Sequence, residues 1–173
     1  MNDAPESVVQ AALRSRPLLR FSAYTAIQAD IVRNLSAEIR SVLDDAFRVS
    51  GQVQGDSFSR AYGLFWLWVL GSYEVVRTMS SAPTCFTASA FVKIRAYKKR
   101  IAVLRIPFAK QQYRGEATAI RAEASVWGID QDAKDLKFEV KDRVITIRTM
   151  LDDFDELITA LTPDDVLSDL RDI

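Results

Sequence analysis

The sequence predicts an α+β protein that is predominantly helical. A helical bundle of about three main helices should be followed by a small β-hairpin or three-stranded antiparallel sheet and by two C-terminal helices. Three observations carry that expectation. Apolar residues recur at spacings of three and four from Tyr24 to Arg105. β-Branched residues alternate or cluster between Leu136 and Arg148. The segments between these runs carry proline, glycine and capping hydroxyls. With 173 residues, 49% of them hydrophobic, the chain can enclose one core without disulfide or metal staples. Residues 1–173 are therefore expected to form a single domain, with a helical portion over 1–114 and a strand-plus-helix portion over 115–173.

The first element is a short helix over residues 5 to 15, carrying Val8, Val9, Ala12 and Leu13 and terminated by Pro17. From about Tyr24 to Phe47, the residues Ile27, Ile31, Leu35, Ile39, Val42 and Ala46 keep the period of one helical face. Asp30, Arg33, Glu38, Arg40 and Asp44 occupy the other faces, so a surface helix with that stripe buried is expected. A loop spans Gly51 to Gly55, after which Asp56 or Ser57 can cap a second helix reaching about Ser80. Tyr62, Phe65, Trp66, Trp68, Val69, Tyr73, Val76 and Met79 nearly encircle that helix, which predicts burial on all sides. Arg60, Gly63, Gly71, Glu74 and Thr78 share one narrow sector, where the glycines would admit a crossing helix.

After a break over Ser80 to Thr84, Thr87 or Ser89 can cap a third helix that runs to about Arg105, with Pro107 ending it. Ile94, Tyr97, Ile101, Leu104 and Phe108 form a heptad seam too short for a sustained coiled coil, so docking of one amphipathic helix on the bundle explains it better. Leu136–Val140 and Val144–Arg148 read as a hairpin around Lys141, Asp142 and Arg143, without a favoured turn pair. A further strand near Ala124–Trp127 is expected, because two strands alone are marginal in water. A fourth long helix should start near Thr149 and bury Leu151, Phe154, Leu157, Ile158 and Leu161. Asp152, Asp153, Asp155 and Glu156 would load its first turns, where the helix dipole favours negative charge. Thr162, Pro163, Asp164 and Asp165 repeat a start signal, giving a short last helix to about Arg171.

Composition excludes much chemistry. Histidine is absent, which removes Ser-His-Asp and Cys-His nucleophile activation and histidine metal ligation together. The single cysteine, Cys85, has no intrachain partner, fits a reducing compartment and reads as a small buried hydrophobe. Residues 1 to 6 lack the basic start and apolar run of an export signal. The uncharged apolar stretch between Arg60 and Glu74 is shorter than the ~20 residues that span a membrane. A cytoplasmic protein without a transmembrane segment is the expectation. Gly63 and Gly71 lack the Lys-Ser or Lys-Thr that completes a phosphate loop, and the acids from Asp152 to Glu156 lack a calcium-loop glycine. Neither a cofactor nor a metal site is expected.

The formal charge is zero, yet the two signs are segregated along the chain. Between Val75 and Gly115 there is no acid, while nine cations occur: Arg77, Lys93, Arg95, Lys98, Lys99, Arg100, Arg105, Lys110 and Arg114. From Glu116 onward fifteen acids face seven bases. One explanation is that the acidic C-terminal helices pack beside the basic third helix, within one molecule or between subunits. The other is a cationic surface for phosphate, made of Lys93, Arg95, Lys98, Lys99, Arg100, Arg105, Lys110 and Arg114. Tyr97 lies on the apolar seam and is assigned to the core rather than to base stacking.

Glu74 and Arg77, one turn apart in apolar surroundings, are the one candidate catalytic pair. A poorly solvated glutamate can act as general acid or base beside a guanidinium that binds phosphate or carboxylate. The leading functional expectation is a non-enzymatic interaction or assembly module, forming a homo-oligomer or binding a protein partner. Its motivation is the aromatic surplus of the second helix, the seam of the third and the complementary charge blocks. Nucleic-acid binding through residues 93–114 is the alternative, and a histidine-independent hydrolase or nuclease using Glu74 and Arg77 comes third.

Overall fold

The computed structural model describes residues 8–49, 52–110, 128–140 and 143–172. Its helices are α1 (Val8–Ser15), α2 (Leu18–Phe21), α3 (Ala23–Ala46), α4 (Gly55–Ser80), α5 (Ala88–Lys110) and α6 (Ile147–Thr159). Strands β1 (Gly128–Asp130), β2 (Asp135–Val140) and β3 (Arg143–Thr146) form an antiparallel sheet in the order β1-β2-β3. The predominantly helical α+β architecture is thus as the sequence predicts. The strand expected at 124–127 lies outside the described residues, and β1 follows directly after that position.

Helix α4 lies between α3 and α5, and α6 bridges the two flanking helices on one side of this layer. Rings knit the parts together. Phe65 of α4 stacks on Trp68 at 5.6 Å and meets Phe138 of β2 at 5.4 Å, while Trp68 meets Phe154 of α6 edge-on at 5.7 Å. Phe108 of α5 contacts Phe138 at 5.5 Å, so α4, α5, α6 and the sheet share one aromatic cluster. Edge-to-face and offset pairs of this kind add to the stabilisation from their buried area.

Helix α3 begins at Ser22, whose hydroxyl accepts the Thr25 N–H at 3.2 Å. Its expected stripe is corrected over the first half. Ile39, Val42 and Ala46 are buried, but Ile27 and Ile31 are exposed, and Ala26, Ala29 and Val32 face inward instead. Val32 faces α4, where its Cγ2 sits 3.3 Å from where a Cβ on Gly71 would be, a separation only small residues allow, while Ala26 and Ala29 face Leu18 of α2 and Ile158 of α6. Gly63, expected on the same crossing, has open space instead. Burial of α4 on all sides is corrected too, since Trp66 and Leu67 face solvent.

Helix α5 does not end at Pro107 but continues to Lys110. An internal proline forfeits one backbone bond and crowds the preceding turn, at about 3 kcal/mol. Burial of Pro107 and Phe108 offsets this, and the Trp66 indole N–H donates to the Phe108 carbonyl at 2.9 Å, supporting the last turn.

The second strand of the hairpin ends at Thr146 rather than Arg148, and α6 starts at Ile147 rather than near Thr149. A buried tertiary acceptor sets that start. Asp135, 2% exposed at the head of β2, accepts the N–H of Leu136 at 2.8 Å and that of Arg148 at 3.0 Å. Asp152 to Glu156 consequently lie beyond the first turn. The last helix is corrected to two 3-10 turns, Pro163–Asp165 and Leu170–Asp172. Thr162 and Asp165 do form the capping box that their sequence signals. This tail is clasped to the start of α5. Thr87 N–H donates to the Asp165 carbonyl at 3.0 Å, Leu167 N–H to the Cys85 carbonyl at 2.8 Å, and the Thr87 hydroxyl to the Asp165 carboxylate at 2.8 Å. Cys85 is buried, as a small hydrophobe would be. Among the described residues, no helix is long and apolar enough to cross a membrane.

Candidate functional site

The cations of α5 do not make one patch. Successive residues on a helix are turned by about 100°, so Lys93 and Arg100 share one side, Arg95, Lys98 and Arg105 share the opposite side, and Lys99 points between them, outward. On the first side, Arg100 forms an ion pair with Asp153 of α6 across a groove of about 300 Å³ that Lys93, Tyr97 and Glu156 also line. Burial raises the Asp153 carboxyl above its ordinary range, and Arg100 pulls the other way. Burial, with Asp153 adding to it, pushes the Tyr97 phenol far upward, so it stays neutral and donates to the Met150 carbonyl at 3.3 Å. Tyr97 is a core residue, and the groove holds a neutralised pair rather than an activated base.

Packing of acidic α6 beside basic α5 therefore accounts for one pair only among the described residues. Asp152 and Asp155 of α6 turn to α3 instead: Arg40 donates to Asp152 at 2.7 Å and to Asp155 at 2.9 Å. Burial disfavours the Arg40 charge, but these two carboxylates outweigh that and hold its pKa above the ordinary value.

On the second side of α5, aromatic faces stand in for carboxylates. The Arg105 guanidinium lies 5.1 Å from the Tyr73 ring and that of Arg95 lies 5.9 Å from the Phe91 ring. Lys98, Lys99 and Lys110 make no ion pair among the described residues, and Arg114 lies outside them.

Glu74 and Arg77 do meet, with Arg77 Nε donating to Glu74 Oε2 at 2.5 Å. Their side chains are 44% and 53% exposed, so the pair stands in water rather than in the apolar neighbourhood expected of it. The tetrad of acids in α6 likewise gathers no ligand set. Among the described residues, no group of three cysteine or carboxylate side chains is placed to hold a metal ion.

Sequence periodicity missed the outer face of α3 and α4, turned away from α6 and the sheet. On α3 it carries Tyr24, 73% exposed, with Ile27 and with Ile31, 60% exposed. On α4 it carries Leu67, 51% exposed, beside Trp66. The Arg60–Glu38 pair, N to O 2.6 Å, ties the two helices together on this same face. Helical periodicity marks these residues as a stripe but does not say which stripe is covered.

Comparison with known protein families, with characterised proteins and with solved structures finds no match to this chain.

Proposed function

We propose that the protein is a non-enzymatic assembly module that associates with a second copy of itself through the outer face of α3 and α4. The supporting observation is the solvent exposure of Tyr24, Ile27, Ile31 and Leu67 on adjacent helices. Contiguous apolar surface of this kind is uncommon on a monomer and common at interfaces. The open space at Gly63 lets a facing helix come close. The rim suits a two-fold partner, because Arg60–Glu38 and Glu74–Arg77 present both signs and a zero net charge avoids repulsion between copies. With its one cysteine buried, the protein fits a reducing cytoplasm.

The test is light scattering across micromolar concentrations. A dimer is expected that Ile31→Glu or Leu67→Glu converts to monomer while Lys99→Glu does not. A monomer at every concentration would overturn the reading.

A second reading is binding of nucleic acid through the outward side of α5, favoured by the guanidiniums of Arg95 and Arg105 lying on rings rather than on carboxylates. Binding of labelled RNA should then fall steeply with salt and be lost in a Lys98→Glu, Arg105→Glu double variant. Binding that ignores salt, or survives the double variant, removes this reading. A hydrolase built on Glu74 and Arg77 gains no support from their exposure.

A further inference from the structure

Helices α5 and α6 run antiparallel. The Arg100–Asp153 ion pair joins the later part of α5 to the front of α6, and the Thr87–Asp165 hydrogen bond joins their opposite ends. The groove of about 300 Å³ between them has walls of opposite sign. On α5, Lys93 and Arg100 stand two turns apart on one face, with Ala96 and Tyr97 between them. On α6, Asp153 and Glu156 stand one turn apart, followed by Leu157 and, just past the helix, Ala160. Buried Tyr97 and Leu157 make an apolar floor. Arg100 and Asp153 close one end by pairing. At the other end the gap is lined by Ala96 and Ala160, whose methyl groups are too short to fill it. Lys93 and Glu156 line that end without an ion pair among the described residues. Asp165 feels the Lys93 charge, but its carboxylate oxygens accept from the Thr87 and Thr162 hydroxyls.

We propose that the open end of this groove binds a free α-amino acid with an aliphatic side chain, its carboxylate on Lys93 and its ammonium on Glu156. The lining is neutral, two cations against two carboxylates, but the signs are sorted onto opposite walls. A small zwitterion matches that arrangement, whereas an ion of either sign alone would meet one wall that repels it. Both of its contacts are charge-assisted hydrogen bonds, the stronger kind. The Tyr97 hydroxyl is turned to the Met150 carbonyl, so its ring is what the groove offers, beside Leu157, to an apolar side chain. The volume lies at the small end of ligand pockets, which run about 300–1,000 Å³. Because the groove lies between α5 and α6, away from the outer face of α3 and α4, the site is independent of the proposed association surface.

The test is calorimetric titration of the full chain at low salt with L-leucine, N-acetyl-leucine, leucine amide and glycine. Leucine should bind once per chain with saturation. N-acetyl-leucine lacks the ammonium and leucine amide the carboxylate, so each should bind at least about tenfold more weakly, the loss of one charged hydrogen bond. Glycine should bind more weakly too, because it leaves the floor uncovered. Glu156→Gln should weaken leucine about tenfold and leave N-acetyl-leucine unchanged, while Lys93→Gln should weaken leucine and leave leucine amide unchanged. Both positions are exposed, so both variants should unfold at the parent temperature, and Lys99→Gln should bind leucine like the parent. Absence of saturable heat, a blocked derivative or glycine matching leucine, or either groove variant binding leucine like the parent would each overturn the proposal. A Lys99→Gln loss equal to that of Lys93→Gln would also overturn it, by showing a diffuse charge effect.

Discussion

Trp68 donates its indole N–H to the hydroxyl of Ser36 at 2.8 Å, with both side chains fully shielded from solvent. Ser36 in turn donates to the Val32 carbonyl at 3.2 Å, so α3 supplies the one acceptor on which the largest ring of the core depends. Ser36→Ala strands a buried donor, at an expected cost of about 1–3 kcal/mol. In a Trp68→Phe background the same change should cost far less, because no donor remains. Urea unfolding of the four proteins in the cycle measures this, and additivity would show that the bond contributes nothing.

The two glycines of α4 should respond differently to alanine. A Cβ at Gly63 meets nothing within 4 Å, so Gly63→Ala should gain the helix-interior difference of about 0.5–1 kcal/mol. At Gly71 the new Cβ would stand 3.3 Å from Val32 Cγ2, so that gain is offset by crowding and Gly71→Leu should destabilise. Thermal unfolding at a concentration where association is constant separates them. Equal shifts would contradict the assigned packing of α3 on α4.

Asp135 should make stability depend on pH in an unusual direction. Burial raises its carboxyl, and the Arg148 and Leu136 amides oppose that without reversing it. A folded pKa above the unfolded one means the folded state holds the proton more tightly. This group's contribution is therefore largest at low pH and declines as pH rises from the ordinary aspartate value to the raised one. Asp135→Asn loses an acceptor, at about 1–2 kcal/mol, and should cost more at pH 3 than at pH 7. Unfolding free energies of both proteins at the two values check the sign, and a cost that grows with pH refutes it.

Pro107→Ala restores an N–H to the last turn of α5 and removes a ring that burial now holds in place. The helix-propensity difference is about 3 kcal/mol, and lost ring burial takes back part of it. A net gain of about 1 kcal/mol, or about 3 °C in Tm, is expected by calorimetry. A lower Tm would mean that the ring's packing outweighs the backbone bond.

The existence of α3, α4, α5 and α6 was legible because each repeats apolar residues with helical period, and the hairpin because its β-branched residues cluster. Faces were less legible. Ile27 and Ile31 look buried by period, yet Ala26, Ala29 and Val32 are the buried residues, because α2, α4 and α6 cover the other side of α3. The start of α6 is fixed by Asp135, twelve residues before Ile147, which local capping rules do not reach. Charge segregation was plain in the sequence, but its pairing was not: Asp152 and Asp155 answer Arg40 rather than the cations of α5.

The clasp between Thr87 and Asp165 joins positions 78 residues apart. Ring closure over that contour carries a larger entropic penalty than the local turns of α3 or α4, and a few amide bonds return little enthalpy against it. On the folding path the fastening is therefore expected to arrive after the helices have condensed, and under stress to release ahead of them. Deuterium uptake at the Thr87 and Leu167 amides should outrun that at Val69 and Val76, which makes the seam between the front of α5 and the tail the place where reversible opening begins.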